Sequence, residues 1–105
     1  VDQYIIVTTL TDKESIALKI QDELLKKNLV AGVQMAKVKS KYWWNNEIEE
    51  REEFHLEMRT KKSLYKIIEK IIKGINDYDV CEISYYEING SKDFLNWQDA
   101  VTKGI

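Results

Sequence analysis

Proline is missing from this chain altogether, and glycine occurs only four times. Such a composition leaves no room for a flexible linker or a low-complexity segment, and no internal repeat is visible. A single cysteine excludes an internal disulfide and fits a reducing compartment, so a cytoplasmic location is expected. No apolar run approaches the roughly 20 residues that cross a bilayer, and no membrane partner is expected. Neither sign of charge dominates: 16 basic and 18 acidic side chains leave a net charge of −2, which provides no general field for nucleic acid. The chain opens at once on a strand-like segment, which reads as the absence of a signal peptide. A Gly-rich phosphate loop, a CxxC pair, an HExxH helix and a nucleophile elbow are all missing, so the chain is expected not to be an enzyme.

What is present is the composition of one globular domain spanning residues 1–105, with 44% hydrophobic and 32% charged residues and enough length for a single core. Gln3 to Thr9 is rich in β-formers, and the Ile5-Ile6-Val7 run suggests a strand buried on both faces. Thr11-Asp12-Lys13-Glu14 has the spacing of a capping box, in which the threonine hydroxyl and Glu14 satisfy early helical N–H groups. The helix that follows reaches about Lys27, with Ile16, Ala17, Ile20, Leu24 and Leu25 as its apolar stripe and Asn28 as a left-handed stop. A second strand is expected from Val30 to Tyr42, its lysines 37, 39 and 41 pointing one way and Ala36, Val38, Ser40 and Tyr42 the other.

The stretch around which the rest is organised is Tyr42-Trp43-Trp44-Asn45-Asn46-Glu47-Ile48-Glu49-Glu50, an aromatic cluster and a turn followed by acids. After the Asn-Asn turn a third strand carries Phe54, Leu56 and Met58 on one face and Glu53, His55, Glu57 and Arg59 on the other. The resulting hairpin is far longer than the usual strand of about 5 or 6 residues, which predicts that another subunit covers its distal half. A helix over Lys62 to Lys73 bears Leu64, Ile67, Ile68, Ile71 and Ile75 at helical spacing; a fourth strand is expected from Tyr78 to Glu87; and Asn89-Gly90 marks a turn before a short helix over Ser91 to Val101. The class is therefore α+β: a ferredoxin-like βαββαβ order with an extra C-terminal helix, an antiparallel sheet, a long hairpin between strands two and three, and both main helices on one sheet face.

These residues carry a resemblance. Tyr4-Ile5-Ile6-Val7-Thr8-Thr9, Leu29-Val30-Ala31-Gly32-Val33-Gln34-Met35, Tyr42-Trp43-Trp44 with Glu47-Ile48-Glu49, Tyr78-Asp79-Val80-Cys81-Glu82-Ile83 and Phe94-Leu95-Asn96-Trp97 resemble the CutA divalent-cation tolerance family, in order and over nearly the whole chain. The Tyr-Trp-Trp block with its following Glu-Ile-Glu is the most specific part. The resemblance implies a compact homotrimer related in architecture to PII signalling proteins, its sheets facing inwards and its long hairpins contacting neighbours. It also implies a response to metal ions such as copper. Many members carry a cysteine where this chain has Gly32, and a His-Pro-Tyr where it reads Asn76-Asp77-Tyr78, so two ligands proposed for copper are replaced. A later family proline is Cys81 here.

The candidate site residues follow from chemistry and resemblance together. Glu53, His55 and Glu57 share a strand face and offer the oxygen and imidazole donors that divalent cations accept, with Cys81 as a soft candidate ligand. Neighbours on one face lie about 7 Å apart, however, and the balance favours a charge network with lysines of the adjoining strand or another subunit. Cys81, in alternation with Ile83, reads more readily as a buried, inert thiol. Trp43 and Trp44 serve either as a stacking platform or as interface anchors, and the interface is favoured. Tyr42, Glu47, Tyr78, Glu82 and Trp97 complete the set expected at a trimer interface or cleft. The acidic run Glu47, Glu49, Glu50, Glu52 and Glu53 is expected to be solvated or paired with Lys37, Lys39 and Lys41. No cofactor is required; a divalent metal such as copper or a small ligand is a candidate partner. Three functions are open: a non-catalytic CutA-like trimer, a PII-like sensor of a small anionic or nucleotide ligand held between subunits, and a trimeric scaffold.

Overall fold

The structure, a computed structural model, describes residues 3–103. Its elements are β1 (Tyr4–Thr11), α1 (Glu14–Lys26), β2 (Gly32–Trp44), β3 (Glu47–Lys61), a 3₁₀ turn (Lys62–Leu64), α2 (Tyr65–Ile75), β4 (Ile83–Ile88) and α3 (Lys92–Val101). The strands form one antiparallel sheet in the order β2-β3-β1-β4. Side chains alternate across a strand, so one face collects Ile5 and Val7 of β1 with Met58 and Leu56 of β3. These residues are fully buried against Ala17, Ile20 and Leu24 of α1 and Ile68 and Ile72 of α2. Both main helices therefore lie on that face, and Ile6 on the reverse is buried between its cross-strand neighbours Arg59 and Tyr86.

Asparagine takes the left-handed turns that a glycine-poor chain would otherwise lack. Asn28 ends α1 at φ 57°, and Asn45 and Asn46 close the β2–β3 hairpin at φ 52° and 63°. Paired positive φ values at a two-residue loop match the right-handed twist of the strands, and asparagine tolerates them because its short polar side chain bonds locally.

Several sequence expectations are corrected. Thr11 does not cap α1: it is the buried last residue of β1, its Oγ1 accepts only from Lys13 N–H at 3.4 Å, and Lys13 precedes the helix without a side-chain cap. The strand needs that residue, because Thr11 pairs with Phe54. Leu25 is exposed rather than part of the stripe, and Ile72, not singled out from the sequence, is fully buried. The fourth strand begins at Ile83, not Tyr78: its ladder with β1 ends at Thr9 opposite Ile83, and the next β1 carbonyl, that of Leu10, accepts from Asn76 Nδ2 instead. Lastly, α2 starts at Tyr65 after a 3₁₀ turn, and β2 runs on to Trp44.

The C-terminal helix seals the base of the hairpin. Past Gly32, β3 has lost β2 as a partner; Gln98 Nε2 donates to the Thr60 carbonyl at 2.7 Å, and Asn28 Nδ2 donates to the Val101 carbonyl at 3.3 Å. Phe94 and Trp97 stack at 5.7 Å between ring centres, with the Arg59 guanidinium 5.3 Å from the Phe94 ring.

Candidate functional site

β3 outlasts its inner neighbour. Thr11 of β1 ends opposite Phe54, so residues 47–53 continue with β2 alone as a two-stranded arm. Beside the root of that arm run Asp12 and Lys13, which follow β1, and the segment 76–82, which leads into β4. The buried Asn76 fastens this segment: its Nδ2 donates to the Leu10 carbonyl at 3.0 Å, and its Oδ1 accepts from Tyr78 N–H at 3.2 Å. An ion pair joins Lys13 to Asp77. Arg51 Nη1 donates to Asp12 Oδ2 at 3.2 Å, and Tyr78 Oη donates to Glu53 Oε2 at 2.6 Å. Arg51 is the lone base in an otherwise acidic stretch, which is the signal by which sequence reading could have found it; Asp12 carries no such signal.

Between arm and segment lies an open groove of about 860 Å³, floored by Leu10 and walled by Tyr42, Trp43, Trp44, Tyr78 and Glu82. Glu53 is only 2% exposed, and its carboxylate is kept from isolation by the Tyr78 hydroxyl. Burial, reinforced by that carboxylate, pushes the Tyr78 phenol well above its ordinary range, so it stays a donor. Burial likewise raises the Glu82 carboxyl; Glu53 adds to the shift and His55 opposes it.

The residues expected as metal ligands are distributed rather than gathered. Glu53 is engaged by Tyr78, and Glu57 accepts from Tyr86 Oη at 3.1 Å. His55 lies opposite Leu10 and Ala36. Cys81, half-buried in the segment before β4, donates through Sγ to the Tyr78 carbonyl at 3.7 Å, and burial raises its thiol pKa, with Lys73 opposing. Among the described residues, no three His, Cys, Asp or Glu side chains converge on a common point. The charge network also differs from expectation. Lys37, Lys39 and Lys41 face Phe54, Glu52 and Glu50 on the other side of the ribbon, so tyrosines, not these lysines, serve Glu53 and Glu57. Lys37 reaches Glu52 at 3.9 Å.

Of the residues expected at an interface or cleft, Tyr42, Trp43, Trp44, Tyr78 and Glu82 line the groove. Trp43 is 71% exposed opposite an exposed Ile48, whereas Trp44, opposite Glu47 on the other face, is 39% exposed. Trp97 stands apart, with Phe94 at the base of the hairpin.

Comparison with known proteins adds the lineage. The chain is 33% identical over 100 residues to the divalent-cation tolerance protein CutA of Pyrococcus horikoshii, covering 94% of this chain and 97% of that one. It is 36% identical over 92 residues to the CutA homologue of Danio rerio, covering 85% and 61% respectively. Its backbone matches the crystal structure of CutA1 from Pyrococcus horikoshii with a TM-score of 0.88 at 30% identity, covering 94% and 98% of the two chains. It also matches a structure described as the periplasmic divalent cation tolerance protein CutA from Archaeoglobus fulgidus, with a TM-score of 0.92 at 27% identity, covering 95% and 99%. No helix among the described residues is long and apolar enough to cross a membrane. The family model of the CutA1 divalent ion tolerance protein matches residues 4–101, and the chain belongs to that family.

Proposed function

We propose that this protein acts in divalent-cation tolerance without catalysis, as a homotrimer whose arms and open sheet faces cover one another. The observation that carries this reading is the arm itself. From Lys39 to Glu52 no residue is buried, yet this stretch holds Tyr42, Trp43, Trp44 and Ile48 and leaves the inner edge of β3 without a strand partner. An unpaired, aromatic-tipped edge is a template for another chain, and aromatics are enriched where chains meet. The helix-free face points the same way, since Ser84 lies there in a row with Thr8 and Glu57, and Tyr86 in the next row with Ile6. Metal ions would be met by donors from more than one copy, with His55, Glu53, Glu57 and Cys81 as this chain's contributions and copper as a candidate. The single thiol suits a reducing cytoplasm.

Light scattering at micromolar concentration is the test: a mass three times 12.4 kDa is expected, and a folded species at 12.4 kDa would overturn the assembly. Titration calorimetry of the same sample with Cu²⁺ and Zn²⁺ is expected to show binding that weakens in His55→Ala. Binding unchanged by that substitution would remove His55 from the metal role.

A further inference from the structure

The two helices that cover the sheet present different charge to solvent. On α1, Lys19 and Lys26 lie among Asp22 and Glu23, and Lys27 reaches Glu23 at 3.7 Å. On α2 that balance is gone. Ile68 and Ile72 are buried against the core, and the opposite side of the helix carries Lys66, Lys70 and Lys73, all exposed. Positions i, i+4 and i+7 fall on one stripe, so the three lysines form a row about 10 Å long. Among the described residues, no carboxylate forms an ion pair with any of them. The one acid of α2, Glu69, is engaged by the Tyr65 hydroxyl at 3.0 Å. Local rules oppose such a row. Like charges three and four residues apart on a helix repel. Lys73 suits the negative end of the helix dipole, but Lys66 stands in the first turn, where an acid is favoured and α2 has none. An anionic partner would relieve both costs.

We propose that the outward stripe of α2 docks an acidic segment of a partner protein, whose carboxylates pair with Lys66, Lys70 and Lys73. Charge complementarity carries the inference. A partner helix with acids at the same spacing matches the row, and so does an extended segment whose alternate residues, roughly 7 Å apart, are acidic. Other anions fit less well. A lipid surface calls for an apolar anchor or a larger basic cluster, and no large hydrophobic residue of α2 is exposed. A nucleic acid gains from aromatic faces on which its bases stack, but Tyr65 is already packed on Tyr85 at 4.5 Å between ring centres. The chain's net charge of −2 also repels a polyphosphate at long range. The stripe points away from the sheet, so it stays open whether or not other copies cover the arm and the helix-free face.

The experiment titrates the full chain into a fluorescein-labelled oligoglutamate peptide, with oligoglutamine as the control, and reads fluorescence anisotropy at low and at high sodium chloride. Saturable binding of oligoglutamate at low salt is expected, weakening as salt rises. It should be about tenfold weaker in the double variant Lys66→Gln/Lys70→Gln. The double variant Lys19→Gln/Lys26→Gln alters the net charge equally on α1 and should change binding by less than about twofold. All four lysines are exposed and glutamine is a good helix former, so both variants keep the fold, which circular dichroism checks. Absence of saturable binding, binding insensitive to the α2 substitutions, or equal loss in the two double variants would each overturn the proposal. So would tighter binding of phosphatidylserine vesicles or of a DNA duplex. Every copy carries the stripe, so the outcome does not depend on the mass found by light scattering.

Discussion

The two ends of the β2–β3 hairpin are one continuous ladder, yet they are held by different physics. At the base, Leu56 and Met58 are fully buried beneath α1 and α2, and α3 closes the edge where β2 stops. At the tip, residues 47–53 of β3 run on beyond the end of β1 with only β2 beside them, and the molecule stretches to 44 Å against 24 and 21 Å in its other directions. The β2–β3 ladder runs through both halves. What differs is the β1 partner on the inner edge of β3 and the apolar cover, the dominant favourable contribution in folding. The base buries its own core, whereas no residue of the tip from Lys39 to Glu52 is buried, and the groove lies where one gives way to the other.

The sharpest way to break the comparison is to weaken the base. Leu56→Ala, in the fully buried layer, is expected to cost about 2–5 kcal/mol and to lower the urea midpoint accordingly. At the junction, Tyr78→Phe removes the donor to the buried Glu53 carboxylate and is expected to cost about 1.5–3 kcal/mol in the same assay. At the tip, Asn46→Val forces a β-branched residue into φ 63°; the cost is about 1–2 kcal/mol, and hydrogen exchange should show faster opening in the arm than in β1. The smallest effect concerns pH. Glu82 has its carboxyl raised by burial, so the folded chain holds that proton more tightly than the unfolded one. Stability therefore falls as pH rises from the unfolded value of 4.5 through the raised folded value, and it is unaffected by this group below that window. Glu82→Gln should flatten that slope in urea melts recorded at successive pH values.

Much of this was legible before any coordinates. Period-two alternation over Phe54 to Arg59 gave the two sheet faces, and Asn28 and Asn45-Asn46 announced turns, because few residues other than glycine tolerate positive φ. Tyr78 to Glu82 misled for an equally physical reason. Tyr78, Val80 and Glu82 alternate with Asp79 and Cys81 in a way that looks strand-like, but the ladder between β1 and β4 ends at Thr9 opposite Ile83, and the Leu10 carbonyl beyond it accepts from the Asn76 side chain instead. Thr11 misled likewise, its hydroxyl suiting a helix cap while its backbone was already claimed by Phe54.

Local rules therefore determined where this chain bends, which side of each strand is apolar, and the order of its elements, because propensity and periodicity act over a few residues. Only the tertiary structure decided that Glu53 would answer to Tyr78 rather than to lysines, that Arg51 would fasten Asp12, and that Asp12 would keep one oxygen without a donor. Those pairings join residues 25 and 39 positions apart, brought together by strand register and loop closure, and no local pattern in the amino-acid order encodes such meetings.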